Sequence, residues 1–389
     1  MPKFPKYADR INHLTGSVFE KFLPKMREQG ENLVRLHIGD SYLHPVYPLP
    51  VEDSFTRQYP FYNRYCNTFG VQELRVVLAE KIRQDNQIEV SVDNIMLTCG
   101  ATNALSVATM SLLNPGDAVL VLTPAWPFFM GMVRLAGGEV VEAPFYMELY
   151  HQPELDVAAY LEQFITDRTV ALYVNTPNNP SGKVLTQEQL GAIARIARKH
   201  RLWIISDEAY DGMTYDQREH FSIAALKEVF EQTLTIFTFS KVFMFAGLRL
   251  GYVVAEPSVI KNINKTMVHQ LYSPSTLAQY LMIEPVQTRH QWLGGFVKHC
   301  HELRHLFTKD LRLTFFEPEG AYYLFFSIKE YLKGRDYWQV INECLEGGVS
   351  VAPGKDFGTD FHDYIRVCFA GEPPERLALA VKRINRILG

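Results

Sequence analysis

Leu234-Thr235-Ile236-Phe237-Thr238-Phe239-Ser240-Lys241, followed closely by Gly247-Leu248-Arg249-Leu250-Gly251-Tyr252, is the stretch on which the fold reading turns. Its first six residues form a short apolar run, which predicts a buried strand, and Lys241 emerges just past its end, where ligand sites of open α/β sheets lie. Desolvation there and a neighbouring cation such as Arg249 both disfavour the ammonium form, so the amine is expected to serve as a nucleophile toward an aldehyde. Hydroxyls at Thr238 and Ser240, with the guanidinium of Arg249, make a donor set suited to a dianionic phosphate ester. Taken alone, the stretch also fits an ordinary strand-to-loop lysine, so other segments must decide.

Three do. In Arg201-Leu202-Trp203-Ile204-Ile205-Ser206-Asp207-Glu208-Ala209-Tyr210 an apolar strand ends in a carboxylate, with a phenol three residues on. A carboxylate at a buried strand end is costly unless it meets a cation, and a protonated pyridine nitrogen is such a cation. The plainer reading is an Asp that caps the next turn. Val170-Ala171-Leu172-Tyr173-Val174-Asn175-Thr176-Pro177-Asn178-Asn179-Pro180-Ser181-Gly182 runs a strand into Asn-Pro turns, where proline stiffens the backbone and Asn179 can present a rigid amide; such turns are also mere punctuation. Asn94-Ile95-Met96-Leu97-Thr98-Cys99-Gly100-Ala101-Thr102-Asn103-Ala104-Leu105 reads as a strand, a glycine and the start of a helix, whose free N–H groups cradle phosphate.

In this order and spacing, the segments resemble the class I/II aminotransferases of fold type I, the aspartate aminotransferase superfamily of pyridoxal phosphate enzymes. The resemblance runs over nearly the whole chain. It includes Tyr65, Gly70 and Glu73-Leu74-Arg75, Thr123-Pro124-Ala125-Trp126, Glu319-Gly320-Ala321-Tyr322-Tyr323 and Ile365-Arg366-Val367. It implies an α/β fold: a mainly parallel sheet flanked by helices, with a smaller α/β C-terminal domain. It implies that Lys241 is the Schiff-base lysine and moves the proton, that Asp207 partners the pyridinium, and that Tyr210 and Asn179 donate to the ring oxygen. Trp126 would stack on the ring. Gly100, Ala101, Thr102, Thr238, Ser240 and Arg249 would hold the phosphate, with Tyr65 reaching across from a second subunit of a homodimer. Arg366 would clamp the substrate α-carboxylate, beneath a loop containing Gly39. For single members the plainer alternatives are a core Trp126, a surface Arg366 and a helix-entry Tyr65.

Composition fits this and adds the exclusions. A chain of 389 residues is long enough for two domains. With 39 basic and 43 acidic residues, net charge −4, it does not present a nucleic-acid surface. No apolar run is long enough for a bilayer, and Met1-Pro2-Lys3-Phe4-Pro5-Lys6 lacks a signal peptide's apolar core. Five cysteines, an odd number without close pairing, point to free thiols in the cytoplasm. The expected division is an N-terminal segment 1–47 packing with the small domain, a large cofactor domain 48–275 and a small domain 276–389. His44-Pro45-Val46-Tyr47-Pro48-Leu49-Pro50 reads as an extended connector, and Thr186 with Gln189 as the capping box of a helix that precedes a strand at Leu202 to Ser206. Later strands are expected at Ala321 to Ser327 and Tyr364 to Phe369.

Rival classes leave traces too. His301-Glu302-Leu303-Arg304-His305 matches H-E-x-x-H, the pattern of a zinc hydrolase, but the surrounding helix is polar and basic and no third ligand stands at a recognisable spacing; a solvated helix face is preferred, with no metal. A DNA-binding regulator built on the same fold would carry an extension, and here the family pattern begins almost at residue one. Within the family, transamination between an L-amino acid and a 2-oxo acid is the default, and β-elimination by a carbon–sulfur lyase the runner-up. Aspartate-specific relatives use an added cation, which neither Thr102 nor the Lys- and Arg-free stretch from Thr266 through Thr288 supplies. Tyr42, Tyr47, Phe61, Tyr62, Phe128, Phe129, Phe243, Phe245 and Tyr272 are candidates either for an aromatic-lined pocket or for core.

Overall fold

The computed structural model describes residues 22–43 and 53–389, so the Pro-rich connector, with Tyr47, lies outside the described residues. Among the described residues twelve strands are numbered in chain order: β1 Val34–Arg35, β2 Ile95–Thr98, β3 Ala118–Thr123, β4 Glu139–Pro144, β5 Thr169–Asn175, β6 Trp203–Asp207, β7 Thr233–Thr238, β8 Gly251–Val254, β9 Tyr323–Ser327, β10 Val349–Ser350, β11 Ala352–Pro353 and β12 Tyr364–Cys368. Seven form the main sheet in the order β2-β8-β7-β6-β5-β3-β4. Strands β4, β3, β5, β6 and β7 run parallel, and only β8 opposes its neighbours β7 and β2.

The runs are apolar throughout because both faces of this sheet are covered. Alternation assigns the faces. Val119, Val121, Ala171, Tyr173, Ile205, Leu234 and Ile236 pack with the helix Gly100–Leu112 on one side. Leu120, Leu122, Leu172, Val174 and Ile204 pack on the other with Leu190, Ile193 and Ala197 of the helix Gln187–His200. That helix starts at the expected box, Thr186 Oγ1 accepting from Gln189 N and Gln189 Oε1 from Thr186 N. It ends on Arg201 in a left-handed conformation, which delays β6 to Trp203.

The C-terminal portion carries a three-stranded antiparallel sheet, β11-β12-β9, with helices Tyr337–Glu346 and Pro374–Leu388. β9 begins at Tyr323, two residues later than expected, because Ala321 has φ +55°, outside the extended region. β12 stops one residue short, at Cys368. Near the other end of the described chain, β1 pairs in parallel with β10, so residues 34 and 35 lie against 349 and 350. No helix among the described residues is long and apolar enough to cross a membrane.

Candidate active site

The parallel strands deliver their C-terminal residues to one edge of the sheet. Asn175 pairs with Asp207, Asp207 with Ile236, and Gly251 with both Thr238 and Thr98, so the ends of five strands stand in a row. Asp207 is buried. Its Oδ2 accepts from the Tyr173 hydroxyl at 2.8 Å and its Oδ1 from the Ala209 N–H at 3.2 Å. Burial nevertheless pushes the carboxyl up to about 6, against the lowering effect of those two donors and of Lys241. A buried acceptor raised this way gains from any cation brought to it.

Lys241 lies three residues beyond β7, and its Nζ donates to the Gly39 carbonyl at 2.6 Å. Burial is the main cause of its lowered pKa, with Arg366 and Arg249 adding and Asp40 and Cys368 opposing. The lowering favours the neutral amine that a nucleophile or base requires.

Beside it is a set of anion donors. Thr238 Oγ1 donates to Ser240 Oγ at 3.0 Å, and the Ser240 N–H returns a bond to Thr238 Oγ1 at 3.1 Å. Arg249 sits in a left-handed conformation, with Nη1 donating to Ala246 O at 2.9 Å. Gly100 opens its helix with φ +77°, and a Cβ there would stand 3.0 Å from Arg249 Nη2, so the guanidinium packs on the bare helix terminus. Two hydroxyls, a guanidinium and free helix N–H groups fit a phosphate dianion.

Arg366, on β12, is buried, so the surface alternative for it does not hold. Its Nη1 donates to Asn179 Oδ1 at 2.9 Å and its Nη2 to His37 O at 2.8 Å, while Nε has no partner among the described residues. The guanidinium lies 4.5 Å from the Tyr323 ring centroid and 5.0 Å from that of Phe357. Tyr323 and Tyr210 share a hydroxyl–hydroxyl bond of 2.7 Å.

These groups meet in one cavity of about 720 Å³. Gly39, Ala101, Thr102, Trp126, Asn179, Asp207, Tyr210, Thr238, Ser240, Lys241, Arg249 and Arg366 all line it. Gly100 touches it only through Arg249, and Tyr65 is absent from its wall: its side chain is 86% exposed, against the Tyr272 ring. Of the described aromatic candidates only Phe128 reaches the wall; Phe129, Phe243 and Phe245 are core, and Tyr42 bonds to His299. On the helix Arg289–Thr308, His301 Nε2 lies 3.2 Å from Asp216 and stacks on Tyr215, while His305 is exposed. Among the described residues no group of three or more His, Cys, Asp or Glu side chains could hold a metal.

The residues that sequence reasoning passed over are Tyr173, Tyr323 and His37. Tyr173 had a signal, since it shares a strand face with Asn175, whose partner is Asp207. His37 Nδ1 pairs with Ser350 Oγ at 2.6 Å, and its neutral form is favoured by burial and by Arg366, which bring its pKa down to about 4.

With this geometry in place, comparison with known proteins decides the family. Residues 56–384 match the family model for aminotransferase class I and II. The chain belongs to that family. It is 34% identical to the aspartate/prephenate aminotransferase of Thermus thermophilus over 94% of this chain and 93% of the relative. It is 33% identical to the aromatic-amino-acid aminotransferase 2 of Thermococcus litoralis over 83% of this chain and 84% of the relative. Among solved structures, a mutant Thermus thermophilus aspartate aminotransferase complexed with tryptophan superposes with a TM-score of 0.89 at 32% identity, covering 99% of this chain and all of that one. This aminotransferase therefore has the fold type I architecture, and its relatives' names support transamination over β-elimination.

Proposed function

We propose that this aminotransferase works with pyridoxal 5′-phosphate and moves the amino group of an L-amino acid to a 2-oxo acid. The observation that carries the reading is the meeting of a depressed amine, a raised buried carboxyl, an anion-donor set and a buried guanidinium in a single cavity. When bound, the cofactor supplies an aldehyde that condenses with amines and a ring that delocalises the electron pair left at the substrate's Cα. Thr238, Ser240, Arg249 and the N–H groups of Gly100, Ala101 and Thr102 hold the phosphate. Asp207 would accept from the ring nitrogen and hold it protonated.

Asn179 has its Oδ1 committed to Arg366, which turns its amide NH2 to donate to the ring oxygen beside Tyr210. Trp126, in the cavity wall, would cover a face of the ring. Lys241 would be the base that takes the proton from the substrate's Cα, and in this structure its amine is held by the Gly39 carbonyl. The Nε of Arg366, without a partner among the described residues, would with an Nη form the fork that binds the α-carboxylate.

The relatives' names divide between aspartate and aromatic amino acids. The cavity's exposed apolar lining, Leu23, Ile38, Phe128 and Leu135, supports a large apolar side chain, with Thr102 in place of a cation in the helix-opening turn. We divide the chain as 1–47, 48–275 and 276–389, and place it in the cytoplasm as a homodimer in which the exposed Tyr65 serves the neighbour's phosphate.

The test is to load purified protein with pyridoxal phosphate and assay phenylalanine against aspartate with a common 2-oxo acid. Wild type should develop a visible absorbance band and turnover, and Lys241→Ala should lose both while keeping its fold, since no other amine replaces the ε-amine. A Lys241→Ala protein that retained band and turnover would end the assignment.

A further inference from the structure

We infer that Tyr323 is a positioning residue coupling the two halves of the site: its hydroxyl aims Tyr210 and its ring face seats Arg366. The inference rests on the cofactor reading above. Tyr323 opens β9 and is only 1% exposed. Three parts of the site converge on it. Its hydroxyl is 2.7 Å from that of Tyr210, with the two rings at 86°. Its face lies 4.5 Å beneath the Arg366 guanidinium. A Cβ on Gly39 would run into its hydroxyl, so the backbone whose carbonyl accepts from Lys241 packs directly upon it.

A phenol has one proton to donate and two lone pairs to accept with. Tyr210 can aim its proton at Tyr323 or into the cavity. When Tyr323 donates to Tyr210, the Tyr210 proton is free for an acceptor in the cavity, and the chain of two hydroxyls polarises it into a stronger donor. The ring face acts separately. A cation held flat on an aromatic face keeps its edge free, and Arg366 has to offer an edge to a carboxylate. The groups that act on Tyr323 are Arg366 and Cys368 of β12 together with Tyr210 and Tyr322; those acting on Lys241 are Asp40, Cys368, Arg366 and Arg249.

Two variants separate the roles. Tyr323→Phe deletes the hydroxyl and keeps the face; Tyr323→Leu deletes both. In enzyme loaded with pyridoxal phosphate, the readouts are the pH midpoint of the visible band and the split between kcat and KM. A weaker Tyr210 donor would leave more negative charge on the ring oxygen of bound pyridoxal phosphate, which would favour the protonated form at Lys241. Tyr323→Phe should therefore raise the midpoint by about 0.3–1 pH unit and lower kcat, with KM within about twofold of wild type. Tyr323→Leu should show the same rise and add an increase in KM of about 3- to 30-fold. A Phe variant with the wild-type midpoint overturns the hydroxyl's role, and a Leu variant whose KM equals that of Phe overturns the role of the face. Should the Leu variant not fold, the Phe variant still decides the first. Wild type that gives no visible band with pyridoxal phosphate fails the cofactor reading itself, before either variant is compared.

Discussion

Replacing Asp207 by Asn should alter how stability depends on pH more than it alters stability at any one pH. Burial lifts the Asp207 carboxyl from an ordinary 3.8 to about 6. Between these values the folded chain holds a proton that the unfolded chain has released, so folding takes up protons and stability falls as pH rises. The contribution is fully present below 3.8 and is lost as pH passes through 6. The two values differ by about two pH units, and at about 1.4 kcal/mol for each the penalty is about 3 kcal/mol.

Asn cannot ionise and escapes this penalty, but it has a single oxygen where Asp207 receives both Tyr173 and Ala209. One buried donor is stranded, at a cost of about 1–3 kcal/mol that does not vary with pH. In cofactor-free protein the Asn variant should thus be the less stable form at pH 4 and recover about 2 kcal/mol relative to wild type by pH 7. Denaturant unfolding of both proteins from pH 4 to 8 measures this. Acid-sensitive groups such as Asp85 and Asp216, held low by arginine partners, are common to both and cancel in the difference. Cofactor adds a second reading: a protonated ring nitrogen relieves the ionised carboxylate, so stabilisation by pyridoxal phosphate should grow across the same window in wild type and stay flat in Asn. Parallel stability curves for the two cofactor-free proteins would refute the reasoning.

Arg366→Ala should cost about 2–5 kcal/mol in transition-state binding, roughly 30-fold to several thousand-fold in kcat/KM, and Lys should recover little because an ammonium cannot reproduce the fork. Comparing an amino acid with its decarboxylated amine checks this, since the preference for the acid should collapse in the Ala variant. Gly100→Ala introduces an L side chain at φ +77° and 3.0 Å from Arg249 Nη2, so it should weaken pyridoxal phosphate binding through the displaced guanidinium and cost about 1–2 kcal/mol of stability, measured by cofactor titration and melting. Sedimentation at micromolar concentration should give twice the 44.7 kDa chain mass, and a fully active monomer would contradict the proposed role of Tyr65.

What could be read from the sequence follows how locally each feature is encoded. β5, β6 and β7 are apolar runs that end in polar residues, and their ends mark the site edge because parallel strands all point the same way. Lys241, Asp207 and Asn179 are legible as candidates for this reason: each lies at or within a few residues of a strand end. The start of β9 was misplaced because nothing local announces that Ala321 takes φ +55°. Tyr323 stands in the Glu319–Tyr323 motif, but the sequence alone gives it no role. Which of Tyr322 and Tyr323 faces Arg366 depends on the pairing of β9 with β12, where Tyr323 opposes Cys368 and Phe325 opposes Arg366. A slip of one residue would exchange the two tyrosines between faces.

The same dependence bears on how the site is held together. Arg366 reaches Asn179 across 187 residues and the carbonyl of His37 across 329, while Lys241 reaches Gly39 across 202. The first joins the main-sheet edge to the antiparallel sheet of the C-terminal portion, the second joins that antiparallel sheet to the segment around Gly39, and the third joins the sheet edge to the same segment. That segment is pinned to the C-terminal portion by β1 and β10 and by His37 on Ser350. A substrate carboxylate bound by Arg366, as proposed, would therefore act on the main-sheet loop at Asn179 and on the backbone at His37, two residues before the carbonyl that holds Lys241. Breaking the β1–β10 pairing should then disturb carboxylate binding and the Lys241 amine together, although neither strand contains a site residue.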